Sequence, residues 1–102
     1  MISIITISFN AETYIEHTVR SILSQSDGKF EFILVDGASK DGTVALVQRI
    51  VSEIKFPEER FICISEKDNG VYDAMNKGVL AAHGDFVFFM NGGDSFYAHD
   101  VI

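Results

Sequence analysis

Basic residues are scarce in this sequence. Eight Lys and Arg stand against fifteen Asp and Glu, a formal net charge of −7 over 102 residues. A nucleic-acid surface needs a basic stripe, so that class of partner is excluded. A nucleotide ligand is not, because a metal ion can mediate between carboxylates and phosphates. Cys63 is the single cysteine. It cannot form an intrachain disulfide, and in the run Phe61-Ile62-Cys63-Ile64 it reads as a buried structural thiol of a reducing compartment. No apolar run approaches the roughly 20 residues of a membrane span, and no signal peptide precedes Ile2. The P-loop signature is missing, and the turn after the first strand lacks G-x-G-x-x-G, which removes two nucleotide-binding readings. His17, His83 and His99 lack metal-ligand spacing and read as surface or cap residues. No segment repeats, and none resembles an interdomain linker.

Apolar residues make up 47% of the chain, nine of them Phe, enough for one small domain with one core. Ile2 to Phe9 is short, apolar and rich in β-branched residues, and predicts a buried strand. Asn10 is placed to cap a helix over 11–25, with Ile15, Val19, Ile22 and Leu23 as its buried stripe. Ser26-Asp27-Gly28 ends that helix. Phe30 to Val35 predicts a second strand, stopping at Asp36-Gly37. A loop over 38–42 offers Asp41 or Ser39 as a cap. Val44, Val47, Ile50, Val51 and Ile54 then mark a second helix, closed by Pro57. Phe61 to Ser65 predicts a third strand. Val71 to Ala82 predicts a helix burying Tyr72, Met75, Val79 and Leu80. Asp85 to Met90 predicts the fourth strand.

Strands alternating with helices define the α/β class, with a parallel sheet covered on both faces. Right-handed crossovers leave few orders, and the doubly wound, Rossmann-like choice is 3-2-1-4. Ligands in such sheets bind at the carboxyl ends of the strands, near the point where winding reverses. Ser8-Phe9-Asn10, Asp36, Ser65-Glu66 and Asn91-Gly92-Gly93-Asp94 all fall on that edge.

Each cluster has a plainer reading. Asp36-Gly37 suits a turn, but Asp36 stands where a base or ribose would approach, and ligand binding is favoured. Ser39, Asp41, Gly42 and Thr43 read as capping and loop closure. For Glu66 and Asp68, a solvated acidic face and a ligand rim fit equally, and Asp73 shares the former option. Gly70 suits a loop that passes close to another backbone or a ligand. Asn76 is a mediocre helix former, which points to a specific hydrogen bond, for instance to a nucleotide. Asn91 to Asp94 resembles a hairpin turn, yet Ser95 to Ile102 makes a poor returning strand. As a site, Gly92 and Gly93 let the backbone approach a diphosphate, and Asp94 offers a hard oxygen to Mg²⁺ or Mn²⁺.

Five segments in series carry a resemblance: Ile4 to Asn10, Ser21 to Gln25, Asp36 to Thr43, Ser65 to Gly78, and Phe89 to Asp94. In order and spacing the chain resembles the amino-terminal half of a family 2 glycosyltransferase with a GT-A fold. The resemblance implies one donor-binding unit over 1–102, with the acceptor half absent. It implies that the Phe9 region and Asp36 hold the base and ribose of a nucleoside-diphosphate sugar. Ser8, Asn10, Asp68, Gly70, Asp73, Asn76, Asn91, Gly92 and Gly93 complete the expected nucleotide-sugar site. Asp94 matches the family's metal-binding D-x-D-type motif, although Gly93 stands where a second aspartate is common. The implied reaction moves a sugar to the hydroxyl of a saccharide or lipid-linked acceptor, with inversion and metal assistance, in polysaccharide or glycoconjugate synthesis. Its general base is expected beyond Ile102. A cytoplasmic setting follows, with peripheral association at the inner face of a membrane as an option for a longer natural protein. The short run after Asp94 reads like the middle of such a protein.

A non-catalytic nucleotide-sugar-binding module is the alternative of another class. A sugar nucleotidyltransferase would carry a glycine-rich, basic loop after the first strand, and Asn10 to Thr13 is neither. The fourth strand, apolar on both faces yet at a sheet edge in the 3-2-1-4 order, is expected to drive self-association over 85–90.

Overall fold

The structure, a computed structural model, describes residues 2–13, 15–24, 30–67 and 70–90. Four strands form one parallel sheet: β1 (Ile2–Ser8), β2 (Phe30–Asp36), β3 (Phe61–Ser65) and β4 (Phe86–Phe89). Their order is β3-β2-β1-β4, as the topology rules predict. Three helices make the crossovers: α1 (Ile15–Leu23), α2 (Thr43–Ile54) and α3 (Val71–Ala81). Every residue of β2 is buried, as expected for a strand with neighbours on both sides and helices on both faces.

Strand alternation divides the core into two layers. Ile4, Phe30, Phe32 and Leu34 point to the face covered by α1 and α2, where they meet Val19, Ile22, Val47 and Ile50. Ile5, Ile33 and Val35 point to the other face, where they meet Ala74 of α3.

Several boundaries differ from the sequence reading for local reasons. Helix α1 starts at Ile15 rather than at Ala11. Asn10 has φ of +48°, which no helical residue adopts, and its side chain serves the neighbouring loop instead of capping α1. Helix α2 stops at Lys55, whose φ of +62° and two backbone bonds around it (Lys55 N–H to Ser52 O, Phe56 N–H to Val51 O) close the helix before Pro57. Ile54, expected in the stripe, is exposed. Cys63 is half-buried rather than buried, because β3 is an edge strand; its thiol pKa is pushed up by that burial and by the charge of Asp36.

The largest correction concerns α3. Tyr72, Val79 and Leu80 were expected in the core, yet they are 86%, 45% and 78% exposed; Met75 is half-buried. The helix seats its small face on the sheet instead, burying Ala74 and Gly78. A Cβ at Gly78 would lie 2.6 Å from Ile5 Cγ2 and 3.3 Å from Val35 Cγ2. The glycine therefore sets how closely α3 lies on β1 and β2. An i, i+3, i+4 apolar pattern marks one face of a helix, but a glycine and alanines can compete for the core when backbone approach decides the packing.

Gly78→Val is expected to destabilise the fold by about 1–3 kcal/mol through overpacking, although valine is the better helix former. Urea unfolding checks this, and an unchanged midpoint would mean that α3 does not lie this close to Ile5.

Candidate functional site at the carboxyl ends of the strands

Ser8, Asp36 and Ser65 pair in register across β1, β2 and β3, so their side chains leave the sheet side by side, on the α1/α2 face. Asp36 is fully buried. Its Oδ1 accepts from Ser8 Oγ at 2.8 Å and Ser39 Oγ at 2.6 Å. Its Oδ2 accepts from the Ser39 amide at 2.7 Å and Ser65 Oγ at 3.2 Å. A buried carboxylate is costly unless its acceptor sites are filled, and here four donors fill them. The backbone continues the tie, with Gly37 N–H donating to Ser8 O and Glu66 N–H to Asp36 O.

Two loops are joined above this carboxylate. The Asn10 amide donates to Ser39 Oγ at 2.7 Å, so Ser39 relays between Asn10 and Asp36. Asn10 Oδ1 accepts from the Lys40 amide at 2.9 Å. The Ala11 amide donates to Thr43 Oγ1 at 2.9 Å, and the Glu12 amide to Asp41 Oδ2 at 3.2 Å. Glu12 Oε1 in return accepts from the Gly42 amide at 3.1 Å. Asp41 also accepts from the Thr43 hydroxyl and the Thr43 amide at the start of α2, the part foreseen for it. The Thr43 hydroxyl, with the Thr43 and Glu12 amides, holds the Asp41 carboxyl below its usual pKa against the opposing effect of desolvation. Asn10 and Ala38, at φ of +48° and +61°, are the strained points that let the loops meet. Phe9 stands at their edge, 58% exposed.

The end of β3 and the start of α3 lie at the same sheet edge, with α3 on the opposite face. Gly70 precedes α3 with φ of +115°, a conformation that favours glycine. Asp73 sits in the first turn of α3, where a carboxylate complements the helix dipole. It pairs at 3.5 Å with Lys77, which also reaches Glu66 at 3.2 Å. Asn76 is exposed.

Ser8, Phe9, Asn10, Asp36 and Gly70 thus stand at the carboxyl edge, with Asp73 in the first turn of α3 and Asn76 further along that helix. Ser8 and Asp36 touch directly. Asp68, Asn91, Gly92, Gly93 and Asp94 lie outside the described residues. Among the described residues no group of three or more His, Cys, Asp or Glu is arranged to hold a metal ion. Asp36 is filled by serine donors, and Glu66 and Asp73 share Lys77. Ser65 and Lys77 were missed as organisers of the edge. The serine spacing across strands becomes visible only once the register is known.

Glu31 was also missed. It is a lone carboxylate between Phe30 and Phe32, 2% exposed, at the amino end of β2 and on the α3 face. Ser3 Oγ donates to it at 2.6 Å and the His83 amide at 2.5 Å, while His83 Nδ1 lies 3.0 Å away. The Gly84 amide completes the cluster by donating to Ser3 Oγ at 2.9 Å. His83, read as a surface or cap residue, is therefore the latch that brings the chain from α3 into β4. Desolvation raises the Glu31 pKa, but the bonds from the His83 amide, Ser3 and the His83 ring outweigh it and leave it below the usual value.

The Glycosyl transferase family 2 model matches residues 3–102, so the chain belongs to that family. It is 37% identical over 102 residues to a PGL/p-HBAD biosynthesis glycosyltransferase of Mycobacterium tuberculosis, covering all of this chain and 39% of the relative. It is 38% identical over 94 residues to the putative teichuronic acid biosynthesis glycosyltransferase TuaG of Bacillus subtilis, covering 92% of this chain and 36% of the relative. The chain therefore spans well under half the length of these relatives. Among solved structures, the mannosyltransferase PcManGT of Pyrobaculum calidifontis, in complex with GDP-Man and Mn2+, superposes with a TM-score of 0.87 at 26% identity. That match covers 97% of this chain and 29% of the other. Staphylococcus aureus TarS, crystallised as residues 1–349 with UDP-GlcNAc, has the same fold, with a TM-score of 0.80 at 24% identity over 92% of this chain and 27% of that one. The four-stranded sheet is thus that of GT-A glycosyltransferases.

Because the folded pKa of Glu31 is depressed, its contribution to stability is present above the unfolded carboxylate value, about 4.3, and is lost as pH falls through the folded value. Glu31→Gln should therefore be less stable than wild type at neutral pH by about 1–3 kcal/mol, and the gap should narrow in acid. Thermal melts from pH 7 down to pH 3 check this; a gap that does not change with pH would remove Glu31 as the source.

Proposed function

We propose that this chain forms the donor-binding part of an inverting, metal-dependent glycosyltransferase. The enzyme would move a sugar from a nucleoside diphosphate to a hydroxyl of a saccharide or lipid-linked acceptor. The observation that carries the reading is the convergence of polar groups from β1, β2, β3 and α3 on the carboxyl edge, beside the β1/β4 switch point. Phe9 and Asn10 form the base and ribose end, and Asp36 supports it from beneath, its buried carboxylate holding Ser8 and Ser39 in place. Gly70, Asp73 and Asn76, with Asp68, border the donor from the other side. Asn91, Gly92 and Gly93 lie at the diphosphate, and Asp94 is the ligand for Mn²⁺ or Mg²⁺.

The mannosyltransferase whose sheet matches this one was solved with GDP-Man and Mn2+, and TarS with UDP-GlcNAc, which supports a nucleotide-sugar donor and a divalent ion. The relatives' names, PGL/p-HBAD biosynthesis and teichuronic acid biosynthesis, support a place in polysaccharide or glycoconjugate synthesis. No described helix is long and apolar enough to cross a membrane. We place acceptor positioning and the general base outside the matched region of the longer relatives, so the 102 residues alone should bind donor without turnover.

Donor binding to the folded state raises its melting temperature, by about ten degrees or more at a hundredfold excess over Kd for a domain of this size. UDP-GlcNAc and GDP-mannose, each with and without Mn²⁺, are the probes. At least one should shift the melt, and Asp94→Ala should remove the Mn²⁺-dependent part while leaving the unliganded melt unchanged. Absence of any shift would refute the donor reading, and an undiminished Mn²⁺ effect in the variant would release Asp94.

We also propose that the chain self-associates through β4. Phe86 is 68% exposed and Phe88 and Phe89 are each 40% exposed, and among the described residues β1 is the only strand beside β4. Such an edge is a template for pairing. Light scattering should show mass rising with concentration; a strict monomer at high concentration would refute the pairing.

A further inference from the structure

Lys77 pairs with two carboxylates on the acidic side of the site, and its surroundings separate two roles. Its Nζ lies 3.1 Å from Lys67 O, 3.2 Å from Glu66 Oε1 and 3.5 Å from Asp73 Oδ2. An ammonium has three hydrogens and no acceptor, so three protein acceptors match its whole donor capacity. The Lys77 side chain is only 20% exposed. The three partners come from both ends of one turn: Glu66 and Lys67 leave β3, while Asp73 and Lys77 belong to α3. Between them stands Gly70, at φ of +115°. Partial desolvation disfavours the Lys77 charge, but the Glu66 hydrogen bond and the two carboxylates outweigh it, so its pKa is raised and the ammonium persists through neutral pH.

We infer that Lys77 is a positioning residue that ties the end of β3, at Glu66 and Lys67, to the first turns of α3 for the donor, without itself contacting the donor's phosphates. This rests on the proposal that the carboxyl edge takes a nucleoside diphosphate sugar. A free lysine at such an edge would serve as a point charge for phosphate. This one has spent its donors on the turn. Ordering the turn before the ligand arrives lowers the entropy that binding must otherwise supply. It also offsets one of the two negative charges of Glu66 and Asp73 where a polyanion approaches.

The test compares wild type with Lys77→Met and with Lys77→Arg, which keeps the charge and so a part of the clamp if the methionine variant does not fold. Backbone amide exchange is read at Lys67 and Gly70 without ligand, and binding is measured for uridine, UDP, guanosine and GDP. Expected are faster exchange in Lys77→Met, partial rescue in Lys77→Arg, and roughly tenfold weaker binding of the nucleoside as well as its diphosphate. Unchanged exchange would overturn the inference. So would a loss confined to the diphosphates with exchange intact, which is the mark of direct phosphate contact. A wild type that binds none of the four compounds would overturn the donor reading itself, and the role of Lys77 toward a donor with it. That failure is distinct from one in which wild type binds and only the Lys77 effects are missing.

Discussion

Burying the Asp36 carboxylate beneath the strand ends would be prohibitive without donors on every side, and meeting that need fixes much else. Ser8 and Ser65 must stand in register with it on the flanking strands. Ser39 must turn back over it, which requires Ala38 in the left-handed region. Once there, the Ser39 hydroxyl accepts from Asn10 and draws in the loop after β1. One buried charge therefore sets strand register, loop path and the shape of the edge together. Its electrostatic cost is offset locally, by three serine hydroxyls and the Ser39 amide.

The two faces of the sheet are built on different principles. On the α1/α2 face, large side chains fill the layer, with Phe30, Phe32 and Ile22 fully or almost fully buried. On the α3 face the helix comes close because Gly78 and Ala74 let it, and its Tyr72, Val79 and Leu80 are turned to solvent. The edge inherits the difference. Its α1/α2 side is tied by neutral and charge-assisted hydrogen bonds between loops, whereas its α3 side is tied by ion pairs around Lys77. The second kind of tie is the more sensitive to salt, since its carboxylates are partly open to water.

Strand order and helix count were legible because they rest on periodicity and on chain handedness, which local sequence carries. The edge that gathers the polar clusters followed from topology alone. The buried face of α3 was not legible. Its apolar stripe of Tyr72, Met75, Val79 and Leu80 competes with a stripe of small residues, and the choice depends on the surface that Ile5 and Val35 present. The start of α1 was misplaced for a similar reason: Asn10 is a good cap in isolation, but a loop 30 residues away claims its side chain. Asp36 was legible as a special residue, but its bonds to Ser8 and Ser65 were not, since hydroxyls on separate strands share no local pattern, and Ser39, three residues on, was read as a cap instead. Glu31 needed the same long-range information, its partner His83 being 52 residues distant.

The joined loops also divide their residues by what each contributes. Asn10, Glu12, Ser39, Asp41 and Thr43 supply side-chain oxygens, so each must keep an acceptor of suitable length. Ala11 and Lys40 supply amide hydrogens, which every residue except proline carries. Substitution tolerance should therefore alternate along a few consecutive positions, strict where oxygen is given and lenient where only an amide is. At Lys40 the side chain is a place where relatives can differ in charge beside the site without disturbing the loops that build it.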